Sequence, residues 1–393
     1  MTFIITFLSR LSGKFYSRLS SLLSCTLLGK WIVKEINRFK FIQVIKSSDR
    51  ISSLDIFRAL AIIGVIFYHF NHFIEYGYLG VDLFFVISGF LVGGILTKEF
   101  EKNQGINIPK FLLQRGFKIW PSYYFFLIAG SVLVILFYRN SHPDHIIPLW
   151  DIARFALFYQ NYVDYPDYWS FGHVWSLCVE EHFYIALPII FFTIQKLVGI
   201  KYRIKTLYVV IIVAIISGIA IKFISFYYHK DADILKTHNR IDALALGVLM
   251  NLLITHYGPK LKQIKYLYLL TLLGFSILMI IIAIHKNTSS EFFRVVVIHS
   301  IVPICCFLMI LGVYYQDFSK FYLLRMIGYF SYNWYLWHQV FVYFMRDNVT
   351  EGRLGFSVYA ITSFIMAVLA TVLIEEPFLE IRKKVLPKLF KKK

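Results

Sequence analysis

Charged side chains are scarce in this sequence: they make up 16% of 393 residues, while 58% are hydrophobic and 19% aromatic. Soluble domains carry about a quarter charged residues. The shortage, with a mean hydropathy of +0.63, excludes an ordinary soluble fold and indicates an all-α, polytopic membrane protein. Acidic residues are scarcer still, 23 against 41 Lys and Arg. The resulting net charge of +18 is not assigned to nucleic acid, because basic loops kept on the cytoplasmic side of a membrane produce the same excess. Cysteine is nearly absent. Cys25, Cys178, Cys305 and Cys306 sit in apolar runs without metal-ligand spacing, which reads as buried or lipid-facing thiols. There is no solenoid-type repeat, and low complexity is confined to the terminal lysines.

What is present is a series of ten apolar segments, at about 54–73, 78–97, 120–138, 174–195, 206–226, 241–255, 266–284, 295–315, 328–345 and 355–374. With the N-terminus inside, the inner segments hold 30 Lys and Arg and the outer loops 9. That bias predicts about ten transmembrane helices with both ends cytoplasmic. Residues 1–50 hold nine basic residues, and their apolar pieces are too short to span. No small-residue cleavage site follows a single apolar core, so the segment is expected to be an uncleaved arm on the anionic inner leaflet rather than a signal peptide. The chain divides into this extension, a transmembrane domain over 51–382 and a basic cytoplasmic tail over 383–393.

Leu54 to Phe73, LDIFRALAIIGVIFYHFNHF, organises the remainder. It is long enough to cross a bilayer, yet it holds Asp55, Arg58 and His69. Ionisable groups inside a span are costly enough to indicate function. The 11 steps from Arg58 to His69 come within about 20° of three full turns and rise ~16 Å. The stripe Asp55–Arg58–Ile62–Val65–His69 therefore runs nearly the depth of the membrane and must face protein or water.

Other motifs lie at comparable depths. The second span, GYLGVDLFFVISGFLVGGIL, has glycines that permit close helix approach. Its Asp82 reads equally as a structural cap or an active-site group. Lys110, Arg115 and Lys118 precede the third span, either as ordinary positive-inside charge or as a phosphate grip. Trp175 opens the fourth span, and Glu180 and Glu181 fall about six residues inside it, matching the depth expected for His69. A carboxylate there would orient the histidine and raise its basicity. His173 and His182 flank the pair, but His-x8-His matches no metal site. Arg240 and Asp242 stand at the outer mouth of the sixth span, where a snorkelling ion pair is the simpler reading. Ser331, Tyr335 and His338 lie in the ninth. In IEEPF, Glu375, Glu376 and Pro377 predict a helix stop. His142 and His145 in the long outer loop are expected to be solvated.

Proton-handling groups thus converge in the outer third of the bilayer, and one helix face below them leads to a basic cytoplasmic rim. That arrangement suits a donor with a phosphorylated head and a long thin arm, as in coenzyme A. The motifs LDIFRALAIIGVIFYHF, GVDLFFVISGFL, RGFKIWPSYY, WSLCVEEHFY, RIDALALG, SYNWYLWH and IEEPF, in this order, resemble the acyltransferase-3 family of integral-membrane O-acyltransferases across roughly residues 50–382. The resemblance implies a multi-pass enzyme of the bacterial inner membrane. It would move an acyl group, usually acetyl, from acyl-CoA to a sugar hydroxyl of a surface polysaccharide or glycolipid such as lipopolysaccharide, with no permanently bound cofactor. It implies roles for Arg58, His69 and the basic motif at 115–118, in which Gln114 and Lys118 stand where arginines are usual. With no hydrolase-like domain after the last helix, the stand-alone form is expected.

Together these readings predict His69 as general base with Glu180, Glu181 or Asp82 as its carboxylate. They place Arg58, Arg115 and Lys118 on the donor, and Arg240, Asp242, His338 and Trp175 at the acceptor. Direct transfer and an acyl-His69 intermediate both fit. The rival function is a transporter or flippase of lipid-linked glycans coupling through intramembrane Arg, His and Glu. Such a protein would more often show inverted repeats, and none is visible.

Overall fold

The computed structural model describes residues 50–390, apart from residues 71, 103–104, 140–142, 164–167, 230–233, 289 and 349–351. The basic arm at 1–49, His142, Cys25 and the last three lysines lie outside the described residues. No strand occurs among those that are described.

The long helices are α1 (Ser52–His69), α2 (Gly80–Glu101), α3 (Ile108–Tyr138), α4 (Trp175–Leu197), α5 (Arg203–His229), α6 (Ile241–Gln263), α7 (Leu269–Thr288), α8 (His299–Val313), α9 (Tyr322–Asn348), α10 (Arg353–Ala370) and α11 (Glu376–Leu389). A π-helical turn at Phe293–Ile298 leads into α8, and another at Thr371–Glu375 joins α10 to α11. Among the described residues nine helical stretches are long and apolar enough to cross a membrane, with α10, the π turn and α11 forming one 37-residue stretch. The exception is α9, which carries Arg325, His338 and Gln339 yet runs 27 residues.

α9 is nonetheless central. It packs along α1 on one side and α10 on another, and Leu336, Trp337 and Val340 are fully buried. The other tight seam is between α2 and α6. A Cβ on Gly89 would collide with the Leu244 carbonyl, and one on Gly247 with that of Val86. The two backbones touch because neither residue has a side chain, the small-residue device common between helices in membranes. α7 lies at the margin and buries only Gly274 and Ile281.

Two expectations change here. The IEEPF segment does not stop the helix. The wide turn at Thr371–Glu375 shifts the hydrogen-bond register, the Glu376 N–H reaching back to the Thr371 carbonyl. Pro377 then falls in the first turn of α11, where its missing N–H costs nothing. In the outer loop, His145 is buried rather than solvated. It is 3% exposed, stacks on Tyr138 with ring centroids 5.0 Å apart, and pairs through Nδ1 with Ser170 Oγ at 2.8 Å.

Candidate active site

α1 ends at His69, four residues before the apolar run does. Phe70 leaves the helix with φ −98° and ψ 96°, and His72 takes a left-handed φ of 52°. His69 therefore stands at a helix terminus, free to project into whatever lies beyond it. Its Nδ1 is 2.9 Å from the Val65 carbonyl oxygen. A carbonyl only accepts, so Nδ1 carries the proton and Nε2 keeps its lone pair. His338 Nε2 lies 3.3 Å from the same Nδ1, and His338 Nδ1 donates to the Tyr335 carbonyl at 2.6 Å. That bond leaves the His338 Nε2 lone pair facing His69, so both neighbours hold His69 in one tautomer. His173 continues the stack, its ring centroid 4.9 Å from that of His338, with Nε2 3.0 Å from the Leu336 carbonyl and Nδ1 2.9 Å from Gln339 Oε1.

His69 opens onto a cavity of about 570 Å³ whose lining includes Tyr68, Glu75, Tyr76, Tyr78, Trp169, Trp175, Arg240, His299 and Gln339. Several of its walls come from the turns after α1 and before α4 and α6. The Tyr76 hydroxyl pairs with His285 Nδ1 at 2.7 Å, and desolvation together with the Glu75 carboxylate pushes that hydroxyl above the ordinary phenol value. Trp175 and Arg240, expected at the acceptor, line this space. His338 does not: it is fully buried and lies behind His69, His173 and Tyr335, which do line it.

Asp242 is also withdrawn, and the expected snorkelling pair with Arg240 does not form. Arg240 precedes α6 in a non-helical conformation, φ −128° and ψ −2°, so its side chain diverges from that of Asp242. Arg240 Nη1 donates to Asp82 Oδ1 at 3.0 Å and to His299 Nδ1 at 2.7 Å. Asp242 instead takes Lys222 Nζ at 2.6 Å, and that ammonium also donates to the His299 carbonyl at 2.6 Å. All five of these side chains are buried. Sequence reasoning missed Lys222 and His299. Each is an isolated ionisable residue in a largely apolar run, and only the fold brings them to the cluster.

The carboxylates expected beside His69 lie elsewhere. Glu180 accepts from the Tyr184 hydroxyl at 2.8 Å, and that hydroxyl also receives Arg115 Nη2 at 3.3 Å and contacts Ser88 Oγ. Both Arg115 and Arg58 act on the Glu180 charge. Glu181 accepts from Trp120 Nε1 at 3.2 Å, and Asp82 belongs to the Arg240 cluster. The physical reason is depth. His69 is the last residue of α1 rather than four or five from its end, whereas Glu180 and Glu181 sit more than a turn inside α4.

At the other end of the bundle, Arg58 pairs with Asp55 at 3.5 Å, and Arg325 Nε approaches the same carboxylate at 3.4 Å. Lys118 is bound to Glu375, which also accepts from Asn333 Nδ2 at 2.8 Å. Arg382 of α11 enters the rim unannounced by any motif. Its Nη1 donates to the Gln114 carbonyl at 3.3 Å, and its charge is felt alongside that of Arg115. Among the described residues no group of three or more His, Cys, Asp or Glu is arranged to hold a metal ion.

A family described as an acyltransferase domain matches residues 51–376. The O-acetyltransferase OatA of Staphylococcus aureus strain NCTC 8325 / PS 47 is 28% identical over 369 residues, covering 88% of this chain and 59% of that protein. A second protein, from S. aureus strain COL and carrying a provisional O-acetyltransferase name, is 29% identical over 371 residues, with 87% and 59% covered. The chain thus spans about three fifths of the length of these relatives. No solved structure matches it.

Proposed function

The chain belongs to this acyltransferase-domain family, and on that premise we propose that it is a membrane O-acetyltransferase taking acetyl groups from acyl-CoA to a hydroxyl of a glycan acceptor. The observation that carries the reading is the state of His69. With its Nδ1–H committed to the Val65 carbonyl and backed by His338, its Nε2 lone pair is available at the wall of a large cavity. In the proposed reaction Nε2 removes the proton of the acceptor hydroxyl. The oxygen attacks the thioester carbonyl, the C–S bond breaks, and the imidazolium returns its proton to the departing thiolate. Arg58 and Arg115, from the cytoplasmic side, bind the phosphates of the donor. Lys118 contributes less than its place in the motif suggests, because Glu375 already holds it. The role expected of a carboxylate is filled by a carbonyl and a second imidazole, which fix the tautomer without adding negative charge.

The test is His69→Ala in the purified full chain. A general base contributes about 10²–10⁴-fold, so transfer should fall by that order. Thermal stabilisation by coenzyme A, which follows from binding to the native state, should persist. Full activity in the variant would refute the assignment. Absence of any coenzyme A stabilisation in the wild type would favour transport instead.

A further inference from the structure

Arg382 lies one helix away from the basic motif on α3, and the acyl transfer proposed above gives it no task. α11 packs along α3, and two bonds tie the pair. Lys118 holds Glu375 just before α11 begins, and Arg382, seven residues further on, donates from Nη1 to the Gln114 carbonyl. Seven residues are about two helical turns, so Glu375 and Arg382 share the face turned to α3. Arg382 thus stands a turn nearer the start of α3 than Lys118 does, beside Arg115.

Its surroundings leave it a surplus charge. Arg382 is half-buried, and Arg115 is the charge that acts on it. Among the described residues no carboxylate pairs with it, and its Nε and Nη2 are neither hydrogen-bonded nor buried. Two neighbouring guanidiniums repel, and an anion that both can reach relieves the repulsion. The Gln114 carbonyl fixes one arm of Arg382. The open Nε–Nη2 edge is one that can grip a phosphate with two parallel bonds. On α3, by contrast, Lys118 is a point charge already taken by Glu375. α11 supplies the fork that α3 lacks at that position.

Resting on the acyl-CoA reading, the structure assigns Arg382 to the phosphate carried on the donor's ribose. The thioester end must reach His69 at the far end of α1. The diphosphate next to the arm then meets Arg58 and Arg115, whose charges both act on Glu180. Arg382 comes next in that series, since Arg115 acts on it and Arg58 does not. The ribose phosphate is likewise the one reached after the diphosphate, counting from the sulfur.

The experiment measures thermal stabilisation of the purified full chain by coenzyme A and by dephospho-coenzyme A, which lacks only the ribose phosphate, and converts each to an apparent affinity. The wild type should bind coenzyme A about 10–100-fold tighter, the worth of a hydrogen bond between charged groups. Arg382→Gln should bring coenzyme A down to the level of the dephospho form and leave the latter where it was. Lys384→Gln, an equal loss of charge at an exposed residue of α11, should keep the wild-type preference. If Arg382→Gln does not fold, Arg382→Met, which retains the apolar stem along α3, decides by the same two ligands. A wild type that neither ligand stabilises sinks the acyl-CoA reading itself. A wild type stabilised equally by both overturns the assignment of Arg382 alone, as does an Arg382 variant that keeps the preference or weakens both ligands alike. Loss of the preference in Lys384→Gln also overturns it, since the effect would then belong to the net charge of α11.

Discussion

Lys118 and Arg115 sit three residues apart on α3, yet the fold uses them differently. Lys118 neutralises Glu375, which is 2% exposed, whereas Arg115 lies over the Tyr184 ring at 4.9 Å and shares its hydroxyl with Glu180. Lys118→Met should therefore act on stability, leaving a buried carboxylate short of a partner at a cost of about 1–3 kcal/mol. The expected result is a lower melting temperature with an unchanged KM for acyl-CoA, and restoration of stability by the added change Glu375→Gln. Arg115→Ala should do the reverse, raising that KM with little loss of stability. A raised donor KM in Lys118→Met would show that the ion pair opens to bind phosphate. At this scale the sequence was informative where partners share one helix. The Asp55–Arg58 pair, i and i+3 on α1, follows from the 3.6-residue period alone. Asp82, Arg240 and His299 come from three separate segments, with 217 positions separating Asp82 from His299, and no spacing rule reaches that far.

Among the helices, α2 and α6 show how closely one pair is specified. A methyl at Gly247 would strike the Val86 carbonyl, so Gly247→Ala should force the seam apart at a cost of about 1–3 kcal/mol, as overpacking does. Thermal melting in detergent checks this, with Gly199→Ala as control because nothing lies within 4 Å of a Cβ there. A wild-type melting temperature for Gly247→Ala would mean that the seam yields easily. The glycines of α2 were legible as contact points because four of them, Gly80, Gly89, Gly93 and Gly94, crowd one apolar segment. Gly247 was not, being a lone glycine in RIDALALG. Helix ends were the hardest feature to read. Four aromatic and polar residues after His69 looked like more helix, and Pro377 looked like a stop. Both outcomes depend on backbone register, which composition does not record.

For the molecule as a whole, the distribution of basic residues predicts a direction in the membrane that can be tested by labelling. Cys178, Cys305 and Cys306 are buried, so after Cys25→Ser the background should be low. Leu149→Cys, at a site 87% exposed in the long loop, should react with an impermeant maleimide on intact cells. Lys383→Cys should react only after permeabilisation, and the opposite pattern would invert the topology. The count of apolar segments was legible because each needs enough hydrophobic length to span. α9 was found from the same pattern, although its polar residues keep it outside the set that qualifies on hydropathy. Those residues have a consequence for biosynthesis. A segment that carries Arg325, His338 and Gln339 partitions poorly from the translocon into lipid by itself. α9 must enter the bilayer against company: α1, which left the ribosome some 270 residues earlier, and α10, which has yet to emerge. The helix that supports His69 thus joins α1 long after α1 itself is made, and the site cannot exist in a nascent chain until α9 has been made.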